Sequence, residues 1–293
     1  MPSLALITVL YKSDDVLEDF FKSIYIQSFK DYKLYLVDNS ASFSSDQIIA
    51  ECSKKYPLSE IKYINSGGNI GVAAGNNLGI NQALNDGCSH LLLLNNDILI
   101  EQDHMFTAMM KCSEKENIIT PKIYYFDTKK IWMAGGFMDY RRALGVHYGM
   151  NEVDAPKYNI ARQITYAPTC FFLVKAEVFN KIGLMDEQYF AYYDDTDFVL
   201  RALKNNYTLW YEPTLYLFHK VSSSSGGDNS LFYIYYGNRN KIYFIRKNFK
   251  GINKLMTLAY TLVSRVFFYF KYNKQGKSKL IQAMIDGFKL KVD

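Results

Sequence analysis

Three clusters of side chains in this sequence could do chemistry. The first is Asn95-Asn96-Asp97, which directly follows the apolar run Leu91–Leu94. Four leucines in a row read as a strand buried on both faces. A buried parallel strand that stops on a carboxylate delivers a charge to the crevice at the carboxyl ends of its sheet. Asp97 would then face a ligand, through a metal. The competing reading makes the same three residues a turn that caps a helix starting near Glu101, because Asn and Asp are common in both settings.

The second cluster is Asp194-Asp195-Thr196-Asp197, one turn ahead of Arg201. Acidic residues in a first helical turn are favoured by the helix dipole, which accounts for carboxylates without any chemistry. Asp197 and Arg201 stand at i and i+4 and are expected to pair. Asp195 points to another side of the helix, among Tyr192, Tyr193 and Phe198, where partial desolvation raises a carboxyl toward the range of a general base. The third cluster is His219, at the end of the apolar run Leu215–Phe218. A lone histidine after such a run is more often structural. A histidine and an aspartate together, however, suit Mn2+ or Mg2+. The sequence carries no HExxH, Ser-His-Asp or P-loop pattern. Without a P-loop lysine, a bound diphosphate needs such an ion to offset its charge.

The elements that must position these groups alternate. Apolar runs at Leu4–Leu10, Lys33–Val37, Ile61–Ile64 and Leu91–Leu94 predict strands. Helical spacing over residues 14–28, 46–56 and 71–85 predicts helices between them. This β-α-β-α-β-α-β order at roughly 30-residue spacing predicts a mostly parallel central sheet with flanking helices. Each strand ends in polar residues: Thr8 and Tyr11, Asp38 and Asn39, Asn69, then Asn95 to Asp97. In a parallel sheet those ends share one edge. The second half predicts a strand at Ile118–Tyr124, a hairpin-like excursion over residues 130–146 and a strand over Thr165–Lys175. A short helix at Ala176–Ile182, a helix at Asp194–Lys204 and strands at Leu209–Tyr211 and Leu215–Phe218 follow. The Ser222–Gly227 loop reads equally as a lid over a ligand or as a plain solvent loop.

Residues 1–230 read as one domain, with a nucleotide-binding half over about 1–100 and a second half over about 101–230. Residues 231–293 read as a helical extension. Within it Leu255–Phe270 is apolar and aromatic, with Arg265 its one charge and lysines at both flanks. It is short of the roughly 18–20 apolar residues that span a bilayer. It could lie on an acidic membrane, pack on the main domain, or pair with a second subunit. The net charge of +5 is too mild and scattered to argue for nucleic acid. The four cysteines show no CxxC spacing, so a reducing cytosol fits.

Taken together, these motifs carry a resemblance. From about Leu4 to Lys247 the chain resembles a family 2 glycosyltransferase of the GT-A fold, in particular the bacterial rhamnosyltransferase-like branch. The residues that carry it, in order, are Thr8 to Tyr11, Val37 to Ser40, Gly68-Asn69-Ile70-Gly71 through Gly79, Asn95-Asn96-Asp97, Trp132 to Gly136, Asp194 to Asp197 with Arg201, and Pro213 to His219. The resemblance implies a Rossmann-like α/β fold and inverting transfer of a sugar from a nucleoside diphosphate donor. dTDP-rhamnose is favoured, with UDP-galactose, UDP-glucose or UDP-galactofuranose as the alternative. It implies an acceptor hydroxyl on a surface polysaccharide or lipid-linked oligosaccharide, and work in the cytoplasm or at the inner face of the cell membrane. Asp38, Thr8 and Tyr11 would line the base and ribose pocket, and Asn69, Gly71 and Asn76 would approach the nucleotide. Asn95 and Asn96 would join the donor site, with Asp97 and His219 as ligands of Mn2+ or Mg2+. Asp195 would be the catalytic base, with Asp194 as its rival because the family's Glu-Asp is Asp-Asp here. Trp132, Gly135 and Gly136 would form the acceptor side. The commoner Asp-x-Asp metal motif is Asn-Asn-Asp here, so His219 matters more. A non-catalytic nucleotide- or sugar-binding module is the remaining alternative.

Overall fold

In a computed structural model of the protein, which describes residues 3–40, 46–220 and 230–292, the leucine run lies in a strand with both faces buried. Along the chain the elements are β1 (Leu4–Leu10), α1 (Leu17–Tyr25), β2 (Tyr32–Asp38), α2 (Asp46–Lys55), β3 (Ile61–Asn65), α3 (Val72–Asn85), β4 (His90–Leu94) and β5 (Ile98–Leu99). Then come α4 (Met105–Cys112), β6 (Ile118–Tyr125), β7 (Ile131–Met133), β8 (Gly136–Asp139), β9 (Leu144–His147), β10 (Arg162–Gln163), β11 (Phe171–Lys175), α5 (Ala176–Ile182), α6 (Asp194–Lys204) and β12 (Leu209–His219). Three helices close the chain: α7 (Leu231–Asn248), α8 (Gly251–Lys271) and α9 (Lys274–Lys289). The Ser222–Gly227 loop lies outside the described residues.

The sheet runs in the order β10-β12-β6-β11-β4-β1-β2-β3. Strands β1 to β4 are mutually parallel, so their carboxyl ends share one edge, as the alternation predicts. Strand β11 enters antiparallel between β4 and β6, and β12 runs parallel to β6. Six strands therefore point one way, and the sheet is mostly parallel. Helix α3 lies close on β1 because two of its residues have no side chain. A Cβ at Gly79 would come within 2.5 Å of Ile7 Cγ2, and one at Gly75 within 2.9 Å of Val9 Cγ1.

Several expected boundaries move. The helix expected near Glu101 starts at Met105 with His104 at its N-cap, so Asn95-Asn96-Asp97 does not cap it. The two strands expected at Leu209–Tyr211 and Leu215–Phe218 are one strand, with an irregularity between Glu212 and Tyr216 around Pro213, which has no N–H for the ladder. The strand expected from Thr165 begins at Phe171. The excursion over residues 130–146 becomes β7 to β9, of which β8 and β9 form a separate antiparallel ribbon. All four cysteines are free thiols.

A second, smaller core of Met138, Ala143, Leu200, Tyr243, Phe244 and Ile245 fastens the β8–β9 ribbon and α6 to α7. Beside it Asp197 is wholly buried. It pairs with Arg201 as the spacing predicts (2.8 Å), and also with Lys247 (3.1 Å) and Asn248 (2.9 Å) from α7. Substituting Asp197→Ala removes the ion pair of Arg201 and leaves Lys247 with Asp186 as its carboxylate partner. The expected loss is about 3 kcal/mol, measured as a lower urea midpoint at unchanged slope. A change below about 0.5 kcal/mol, the range of an ordinary surface substitution, would contradict this account.

Candidate active site

Asp97 and His219 meet because β5 pairs antiparallel with the end of β12, setting His219 opposite Ile98. The backbone N–H of Lys220 donates to the Asp97 carbonyl (2.8 Å), which locks the register. The Asp97 carboxylate then stands 3.0 Å from His219 Nε2, and both side chains are largely buried. Asn95 Nδ2 approaches the same ring nitrogen at 3.5 Å. Asn96 turns away, and its amide donates to the Val9 carbonyl at the end of β1 (2.9 Å). His219 Nδ1 is buried with no partner among the described residues.

This pair fits a small divalent cation in its donor chemistry and spacing. One hard oxygen and one imidazole nitrogen suit Mn2+ or Mg2+. Two ligands of an octahedral ion at about 2.1 Å stand about 3.0 Å apart when adjacent, which matches the observed 3.0 Å. Among the described residues no group of three or more His, Cys, Asp or Glu could hold a metal. The remaining positions would therefore fall to phosphate oxygens and water, as is usual for Mg2+. A ligating imidazole ordinarily donates its second N–H. Nδ1 lacks that partner, so the fit rests on donor type and spacing.

The second centre is the start of α6. Tyr192 and Tyr193 hold successive φ values of 65° and 70°, a left-handed conformation that is costly for bulky residues and needs support from outside. Support comes from α7, where Asn240 Nδ2 donates to the carbonyls of Ala191 (2.7 Å) and Tyr192 (2.9 Å). The bend leaves Asp194 buried and Asp195 half-buried. The Tyr166 hydroxyl donates to Asp195 Oδ2 (2.9 Å), and the Thr196 hydroxyl donates to Oδ1 (3.0 Å). Burial raises both carboxyls above the usual carboxylate range, and the charge of Asp195 adds to the effect at Asp194. Hydrogen bonds from Tyr166 and Thr196 partly hold Asp195 back.

Aromatic rings bridge the two centres. Trp132 packs edge-on against His219 (centroids 4.7 Å) and against His147 (4.4 Å). His147 stacks on Tyr166 (5.7 Å), whose hydroxyl holds Asp195. Burial pushes His147 down to about 4, so it stays neutral at physiological pH. Glycines make room for this bridge. A Cβ at Gly145 would come within 2.3 Å of the Tyr166 ring, and one at Gly136 within 2.7 Å of the Tyr166 carbonyl. Gly135 takes φ +82° beside Ile164 and Tyr211. Tyr166 and His147 were not singled out from the sequence. The glycines at 135, 136 and 145 were the available signal that a ring must fit there.

Along the rim of parallel strand ends, Asp38 is buried and accepts from Tyr63 and from the backbone and hydroxyl of Ser40. Thr8 is wholly buried, and its hydroxyl has no partner among the described residues. Tyr11 is exposed and Asn76 is buried. Asn69 Oδ1 accepts from the Gly71 backbone N–H (3.1 Å), closing the turn before α3. Gly71 has φ +90°, and a Cβ there would come within 2.5 Å of the Phe190 carbonyl. The Phe190 backbone by itself therefore requires a glycine at this position.

The family described as glycosyl transferase family 2 matches residues 5–183. Among curated proteins, the low-salt glycan biosynthesis hexosyltransferase Agl10 of Haloferax volcanii is 25% identical over 272 residues, covering 90% of this chain and 81% of its own. The dTDP-rhamnosyl transferase RfbF of Shigella flexneri is 25% identical over 242 residues, covering 76% and 74%. Among solved structures, the mannosyltransferase PcManGT from Pyrobaculum calidifontis in complex with GDP-Man and Mn2+ superposes with a TM-score of 0.60 at 12% identity, covering 98% of this chain and 86% of that one.

The Tyr166 hydrogen bond stabilises the ionised form of Asp195, so removing it raises the pH at which the Asp194–Asp195 pair titrates. In Tyr166→Phe, carbon NMR of labelled aspartate should show the midpoints of the pair moved to higher pH. An unchanged or lower midpoint contradicts the assigned contact.

Proposed function

The chain belongs to glycosyl transferase family 2, has the GT-A fold, and on that premise we propose that it is a metal-dependent, inverting hexosyltransferase. Its donor is a nucleoside diphosphate sugar, with dTDP-rhamnose first. Its acceptor is a hydroxyl of a growing surface polysaccharide or of a lipid-linked oligosaccharide, met in the cytoplasm. The observation that carries this reading is the division of the site into two centres. Asp97 with His219 makes one, and Asp195 makes the other, with the Trp132–His147–Tyr166 bridge between them.

In this mechanism Asp195 takes the proton from the acceptor hydroxyl as that oxygen attacks the anomeric carbon. The bond from that carbon to the diphosphate breaks, and the nucleoside diphosphate departs on the opposite face. Asp195 suits the role better than Asp194 because it is partly exposed and oriented by Tyr166. Burial raises its pKa, which makes it a stronger base than an ordinary aspartate. Asp97 and His219 would hold Mn2+ or Mg2+, which supplies positive charge against the diphosphate. The fixed bridge supports alignment of the two centres, where an error of about 1 Å is costly.

On the donor side Asp38 serves the base, with Thr8, Tyr11, Asn69, Gly71, Asn76, Asn95 and Asn96 around the nucleotide. The name of RfbF supports dTDP-rhamnose, and that of Agl10 supports a hexose more broadly. One carboxylate at the base does not separate thymine from uracil, so a UDP-hexose donor is the second reading. On the acceptor side, beside Trp132 and Gly135, an open groove of about 420 Å³ is lined by Gly136, Phe137, Tyr148, Arg162, Gln163 and Thr165. Exposed Phe137 and Tyr148 suit the apolar faces of sugar rings. A binding module would have no use for two adjacent carboxyls with raised pKa, one buried and one half-buried, and such groups cluster at catalytic sites.

Titration with dTDP-rhamnose, UDP-galactose, UDP-glucose and UDP-galactofuranose in the presence of Mn2+ should find one preferred donor. With that donor, Asp195→Asn should lower transfer by about a hundredfold or more and leave donor affinity within about twofold. Full transfer by that variant would overturn the assignment of the base.

A further inference from the structure

Helix α8 is built inside out. Its side chains toward the rest of the protein are mainly polar: Thr257 and Thr261 are its buried residues, flanked by Lys254, Ser264 and Arg265, with Leu258 the apolar contact to the second core. Its outward side is apolar. Ile252, Met256, Val263, Val266, Phe267 and Phe270 are each more than half exposed. They recur at three- and four-residue steps, so they form one stripe along a helix about 31 Å long. Helix α8 packs on the rest of the protein, one of the readings open from sequence, with Leu258 against the second core, and that packing leaves the outward stripe bare. Helix α9 adds Ile281, Ile285 and Phe288, also exposed at helical spacing.

The charge of the chain is segregated in the same region. Residues 231–293 carry thirteen Lys and Arg against two Asp, a net charge of +11. The preceding 230 residues therefore carry −6, and the overall +5 is an average of two opposite parts. Lys250, Lys271 and Lys274 stand at the two ends of the apolar stripe and are exposed. Each basic residue near an anionic bilayer contributes about 1 kcal/mol. A second copy would bring the same positive rim against itself, which opposes self-association through this face. Among the described residues no helix is long and apolar enough to cross a membrane.

We infer that the outward face of α8 docks on an anionic phospholipid surface, lying in the interface with its phenylalanines among the acyl chains and its lysines at the headgroups. This goes beyond the transfer reaction and does not depend on it. On its inner side, Leu258 of α8 and Tyr193 pack against the same second core.

The test is flotation of the intact protein with vesicles of phosphatidylcholine alone, or with about a third of the lipid replaced by phosphatidylglycerol. The protein should float with the anionic vesicles, much less with the neutral ones, and less again in high salt. Replacing Phe267→Glu together with Phe270→Glu should weaken binding by about tenfold or more with an unchanged circular dichroism spectrum. Absence of flotation, or equal flotation of the double variant, would overturn the inference. So would a dimer in sedimentation that the double variant dissolves, with no vesicle binding by the intact protein.

Discussion

The site depends on one short pairing, that of Ile98–Leu99 with Phe218–His219. It is two residues long on each side, yet it brings together side chains 122 positions apart. Neighbouring contacts hold it in register. The Lys220 amide bonds the Asp97 carbonyl, the Asn95 amide bonds the Cys170 carbonyl, and Asn96 is tied to Val9. The Asn-Asn-Asp turn is thereby fixed to β1, to the approach of β11 and to the end of β12. The Asp97 carboxylate is left facing His219, with the Asn95 side chain beside it. Under the proposed function, that division of labour would let a motif with a single carboxylate contribute to a cation site, with its partner supplied by a strand from the far end of the domain.

The same logic places the carboxyls of α6. Two tyrosines in the left-handed conformation turn the chain so that Asp194 is buried and Asp195 is partly open. Asn240, Lys247 and Asn248 of α7 hold the surrounding backbone and Asp197. Helix α7 is therefore part of what shapes the site. The aromatic bridge then sets Asp195 at a fixed remove from His219, and small residues at 136 and 145 are the condition for its ring to fit. Strain at the turn, buried charge at Asp197 and close glycine contacts all serve the placement of one carboxylate.

The alternation of apolar runs was enough to read the parallel half of the fold, because crossover connections leave a strong periodic trace. The polar rim followed from it by geometry, and so did the Asp197–Arg201 pair. Strand β5 was not legible, since two residues carry no period. The cap reading of Asn95-Asn96-Asp97 stayed open for the same reason until α4 proved to begin at Met105. Tyr166 and His147 were missed because one tyrosine among 25 has no local mark, and its role comes from glycines some 20 to 30 positions earlier. The tail misled through averaging. A net charge of +5 looked scattered because its two parts, +11 and −6, partly cancel, and composition alone does not say which side of an amphipathic helix faces the protein.

Under the proposed function, Asp97 and His219 together hold the cation that a nucleoside diphosphate requires. Pulsed electron paramagnetic resonance of the protein with Mn2+ and the preferred nucleoside diphosphate reads this directly. The account predicts a nitrogen coupling from one imidazole alongside phosphorus couplings, with the nitrogen signal lost in His219→Ala. Phosphorus couplings without any nitrogen coupling in the unsubstituted protein would contradict it.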